Sequence, residues 1–153
     1  MKLVVRVKLL PSPEQAKALQ ATLHACNQAA DHASRIAQTT GARDKYALQR
    51  AVYHELKTRF ALSAQPTVRV IGKVADAYTT WQANLKAGNL GRKGSPRRQR
   101  ATSTPISFRL DAAQPFDDRC LSWQMDARTV SIWTVSVRMK NLDFTTSPNS
   151  SNS

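Results

Sequence analysis

Residues 2–19 read KLVVRVKLLPSPEQAKAL, and this stretch changes period in the middle. Leu3, Val5, Val7 and Leu9 alternate with Lys2, Arg6 and Lys8, the period of a half-buried strand. Pro11 closes that run. Ser12, Pro13 and Gln15 then supply an N-cap, a first helical residue and the far member of a capping box. From there Leu19, Leu23, Cys26, Ala30, Ala33 and Ala37 recur at spacings of three and four, so a helix is expected from about 13 to about 39, closed by Gly41. A strand followed at once by a long helix brings both element types into the chain, and with the further helices and later strands read below the expected class is α+β.

The rest of the chain extends this pattern. A second helix is expected over about 44–60, with Leu48, Val52 and Leu56 in one stripe and Tyr53 and Phe60 beside it. A third begins after Ser63, Pro66 being tolerated in its first turn. Val68, Ile71, Ala75 and Tyr78 mark one face and Val70, Val74, Ala77 and Trp81 another, as in the central helix of a bundle. Residues 86–105, KAGNLGRKGSPRRQRATSTP, hold glycines, prolines and clustered cations, and read as a loop. Strand-like runs follow at 106–110, 120–125 and 129–137, with Asp126–Arg128 as a turn. The last residues, polar and low in complexity, read as a disordered tail from 141 to 153. The first strand is expected to pair with the late ones, with the helices inserted between them.

The net charge is +13 in 153 residues, an excess that points to polyanion partners. Its densest part is the basic loop. Lys86, Arg92, Lys93, Arg97, Arg98 and Arg100 lie within fifteen residues, and no acid occurs between Asp76 and Asp111. Phosphates would relieve this repulsion and release counterions, and guanidinium groups can hold two oxygens at once. Arg69 and Lys73, one turn apart on the third helix, form a second cationic pair. Trp81 and Trp133 are expected in the core; Trp123 could stack on a base.

Other chemistries find little support. His24, His32 and His54 have no metal-ligand spacing, Cys26 and Cys120 read as small buried apolar residues, and Asp117-Asp118 sits in a turn-like PFDDR. No nucleophile motif or phosphate-binding Gly loop occurs, so no catalytic residue, metal ligand or cofactor is assigned. No run of about 18 apolar residues occurs, and the basic loop lacks the bulky apolar residues of a membrane-surface helix. With no export signal at the start, a cytoplasmic protein is expected.

Four segments in order resemble one family: VVRVKLLPSPEQAKAL (4–19), LQRAVYHELKTRFALSAQPTVRVIGKVADAY (48–78), ISFRL (106–110) and RCLSWQMDARTVSIWTV (119–135). They are similar to the amino-terminal part of the TnpB (OrfB) transposases of bacterial and archaeal insertion sequences, over residues 2 to about 139. The resemblance implies an RNA-guided DNA endonuclease architecture: a wedge domain, a partial β-barrel here spanning 1–10 and 104–140, with a three-helix recognition lobe inserted at 11–103. It implies guide RNA and target DNA as partners, with Lys86 to Arg100, Arg69 and Lys73 as candidates for backbone contact. The family's RuvC-like nuclease domain would begin where this sequence stops. The expectation is therefore a truncated, recognition-only chain. A transposase remnant with no specific ligand and a general polyanion or membrane-surface binder are the alternatives.

Overall fold

The computed structural model describes residues 4–146. The order of elements is β1 (Val7–Leu9), α1 (Pro13–Thr40), α2 (Lys45–Arg59), α3 (Ala64–Ala87), α4 (Pro96–Ser103), β2 (Leu121–Gln124), β3 (Thr129–Ile132) and β4 (Met139–Thr146). The class is α+β. The strands form one open antiparallel sheet in the order β1-β4-β3-β2, and it does not close into a barrel. The chain divides into two compact units. Among the described residues, one holds 4–22 and 116–146; the other is Leu23–Pro115.

In the first unit, β1 lies at a sheet edge against β4, Val7 opposite Thr146 and Leu9 opposite Phe144. The first strand thus joins the late ones, as expected. It is shorter than the alternating run: residues 4–6 are exposed and outside any strand, and Lys2 and Leu3 lie outside the described residues. One sheet face carries Val130, Ile132, Met139, Leu142 and Phe144, all buried, with Val7, Leu9, Leu121, Ala18, Leu19 and Phe116 packed against them. A bulge between Val130 and Ile132 gives β4 one extra residue, and nearby Asn141 has a φ of 59°. The expected disordered tail from 141 is corrected as far as Thr146. Leu142 and Phe144 alternate with exposed Asp143 and complete the core strand. Residues 147–153 lie outside the described residues. Trp133 is half-buried, edge-on to Phe116 at 6.5 Å.

The capping box forms with both bonds: the Gln15 N–H donates to Ser12 Oγ at 3.2 Å, and the Ser12 N–H to Gln15 Oε1 at 2.9 Å. Beyond it the alanine stripe is buried as expected, Ala30, Ala33 and Ala37 being wholly inaccessible along with Ala29. In the second unit these residues share a core with Leu48, Val52 and Leu56 of α2 and Val70, Ile71, Val74 and Tyr78 of α3. Cys26 and Cys120 are both buried.

The second correction concerns residues 106–110. They alternate like a strand but pair with no strand. A polar stripe on α1 takes up their backbone instead. Ser34 Oγ donates to the Ile106 carbonyl, the Phe108 N–H donates to Asp31 Oδ1 at 2.6 Å, and Asn27 Nδ2 donates to the carbonyls of Leu110 and Ala112 at 2.8 and 2.9 Å. Gln38 Nε2 reaches the Thr102 carbonyl. Positions 27, 31, 34 and 38 recur at the helical spacing that keeps side chains on one face. An extended segment is thus held without a sheet partner, its buried backbone groups satisfied by side chains.

Candidate nucleic-acid interface

The third correction falls on the basic segment itself, which is not a simple loop. Gly88 ends α3 in the left-handed conformation, φ 79°, with its N–H bonded to the carbonyls of Asn84 and Leu85. Gly91 and Gly94 take φ values of 107° and 84° through the turn that follows. Ser95 then caps a new helix, its hydroxyl accepting from the Arg98 N–H at 3.2 Å, with Pro96 in the first turn. This repeats the chemistry of Ser12 and Pro13 at the start of α1.

Helix α4 buries none of its residues, so apolar packing does not hold it in place. Polar bonds do. Arg98 Nη1 donates to the Leu85 carbonyl at 3.0 Å, a cation placed on the negative end of α3. Arg97 Nη2 donates to the Asn89 carbonyl at 3.2 Å. The Trp81 indole N–H donates to the Ala101 carbonyl at 2.9 Å. Trp81 is itself half-buried, edge-on to Tyr78 at 5.7 Å, with the Arg43 guanidinium 5.0 Å from its ring centre. The expected core role of Trp81 thus becomes a fastening role at the core's margin.

The candidate cations now separate by position. Lys86, Arg92, Lys93, Arg97 and Arg100 are exposed around the α3–α4 junction. Arg98 is half-buried and holds the junction together. Arg69 is exposed near the other end of α3, seventeen residues or about 25 Å of helix from Lys86. The fold therefore does not gather Arg69 into the cluster.

Lys73 is engaged within the fold. Its ammonium donates to Asn27 Oδ1 at 2.6 Å and to Gln114 Oε1 at 3.3 Å, and lies 5.3 Å from the centre of the Phe108 ring. Burial holds its pKa below the ordinary lysine value, with Cys26 and Asp31 acting in the opposite direction. It links α3, α1 and the extended segment; phosphate contact would have to displace these bonds.

The remaining candidates stay dispersed. Asp117 and Asp118 sit in a turn: the Asp117 carbonyl accepts from the N–H groups of Cys120 and Leu121, and its carboxylate from the Arg119 N–H. His32 Nε2 lies 2.9 Å from Glu55 Oε1. Among the described residues no three His, Cys, Asp or Glu side chains come together as a metal site, and no helix is long and apolar enough to cross a membrane. Trp123 is 46% exposed and edge-on to Phe144 at 5.1 Å, beside a groove of about 350 Å³ lined by Val5, Val7, Met125 and Thr146. No protein-family model, curated protein or solved structure matches the chain.

Proposed function

We propose that the chain is a nucleic-acid recognition module that holds the phosphate backbone of a structured RNA, and of that RNA paired with DNA, on the α3–α4 junction. One observation carries the reading. Five exposed cations, Lys86, Arg92, Lys93, Arg97 and Arg100, stand on a turn and helix held by specific hydrogen bonds, in a segment free of acids from Asp76 to Asp111. Ordering like charges close together carries a repulsive cost that phosphates remove. Gly94, exposed and with open space where a side chain would stand, leaves the backbone between the cations bare, as close approach to a phosphate requires.

The resemblance to the TnpB family gives this surface a context. In that reading the sheet is part of a wedge domain and the helices are its inserted recognition lobe. The guide supplies sequence by pairing, while the protein binds the duplex through its shape and backbone. Recovering and sequencing the nucleic acid that co-purifies with the full chain tests the proposal. A discrete structured RNA retained at moderate salt is the expected result. A random mixture lost by about 0.2 M salt, as nonspecific phosphate contacts behave, would overturn it.

A further inference from the structure

We infer that the outer face of α2 is a separate binding surface for an unpaired nucleic-acid strand, with Tyr46 as the platform on which a base stacks and Arg50 and Lys57 as its phosphate contacts. At 3.6 residues per turn, Tyr46, Arg50, Tyr53, His54 and Lys57 fall within an arc of about 100°. They lie opposite Leu48, Val52 and Leu56, the three buried residues of the helix. Tyr46 is 77% exposed, unusually open for a large ring. Arg50 and His54 are exposed beside it, and Lys57 lies with its ammonium 5.2 Å from the centre of the Tyr53 ring. Tyr53 in turn is edge-on to His54 at 5.3 Å.

Charge sorting on α2 favours an anionic strand. Its one acid, Glu55, is turned off this face toward His32 of α1, with Arg59 at 3.7 Å. Asp44, just before the helix, is its N-cap and accepts from the Ala47 N–H at 2.9 Å. The stripe ends at an open cleft of about 440 Å³ lined by His54, Lys57, Thr58 and Leu62. Aromatic rings alternating with cations match an unpaired strand, which offers a base face and a phosphate at each step; a closed duplex hides its base faces. From Tyr46 to Lys57 the helix rises about 16 Å, enough for several nucleotides. This surface shares no residue with the α3–α4 cluster, so each can fail without the other.

The test uses the full chain with fluorescein-labelled oligouridylate of about 12 nucleotides, within the usual range of single-strand sites, and an RNA hairpin as the paired control. Tyr46→Ala, a change at an exposed ring, is expected to weaken oligouridylate binding about 10-fold while leaving hairpin binding unchanged. Tyr46→Trp is expected to retain affinity and to add a fluorescence component quenched by the oligonucleotide. Arg50→Ala is expected to reduce the salt slope for oligouridylate by about 0.7. Unchanged oligouridylate affinity in Tyr46→Ala would overturn the inference. So would equal losses for hairpin and oligouridylate, or competition by polyglutamate as strong as by unlabelled oligouridylate, since polyglutamate offers charge without bases.

Discussion

Replacing Asn27 by alanine should be among the most destabilising single changes in the helical unit. Asn27 is wholly buried, and besides the Leu23 carbonyl one turn back its amide serves three partners outside its own helix. It donates to the carbonyls of Leu110 and Ala112 at 2.8 and 2.9 Å and accepts from the Lys73 ammonium at 2.6 Å. Each neutral bond is worth about 1 kcal/mol, and the bond from the charged ammonium about 1.5–3 kcal/mol. The sum is about 4 kcal/mol, a large part of the roughly 5–15 kcal/mol that stabilises an ordinary domain. With a urea m-value of about 2 kcal/mol/M, the midpoint should fall by about 2 M. Urea unfolding followed by circular dichroism measures it. The double variant Asn27→Ala/Lys73→Met should lose less than the two single losses combined, because it removes the ammonium that Asn27→Ala strands. A midpoint shift below about 0.5 M for Asn27→Ala would refute the claim that these side chains hold the extended segment.

Two further predictions concern the surroundings of the cluster. Because burial lowers the folded-state pKa of Lys73 beneath its unfolded value of 10.5, the charged form penalises the fold; that penalty is fully present below the folded pKa and fades as pH rises through it toward 10.5. Stability measured against alkaline pH should therefore rise more, or fall less, in the wild type than in Lys73→Met, and parallel curves would contradict this. Gly91→Ala would put a Cβ 2.8 Å from Ser95 Oγ and 3.1 Å from the Arg98 nitrogen, at a φ of 107°. It should cost about 1–3 kcal/mol and fray α4, lowering both thermal stability and hairpin-RNA affinity; a variant with wild-type values for both would show that the cap of α4 is dispensable.

How far the sequence showed this fold depends on where each segment's bonds go. The capping box at Ser12–Gln15 and the stripes of α1, α2 and α3 are local, and their helices lie within a residue or two of the expected bounds. Helix α4 carries the same Ser-Pro signal at 95–96, but its charge density argued for a loop. The bonds that fasten it, Trp81 to Ala101 and Arg98 to Leu85, span 20 and 13 residues and have no local signature. Residues 106–110 looked like a strand because alternation shows a segment with two faces without showing its partner. The partner was legible in principle as Asn27, Asp31, Ser34 and Gln38, a polar stripe beside the alanine one. Strand β4 was hidden by its polar majority, Leu142 and Phe144 being the only bulky apolar residues after Met139. Of the candidate site, the exposed cations stayed together, while Arg69 lies at the far end of α3. Lys73 turned inward, and nothing in its immediate sequence marks that.

The phosphate-binding account rests on the five exposed cations at the α3–α4 junction, and the salt dependence of hairpin-RNA binding tests it most directly. Each backbone contact contributes about 0.9 to the slope of log affinity against log salt on a duplex, so removing four of them should lower the slope by about 3.6. The variant combines Lys86, Arg92, Lys93 and Arg100, each changed to alanine and none among the bonds that fasten α4, with circular dichroism confirming that the helices remain. The account predicts weaker hairpin binding with a slope reduced by about 3 to 4. A folded variant with wild-type affinity and an unchanged slope would contradict it.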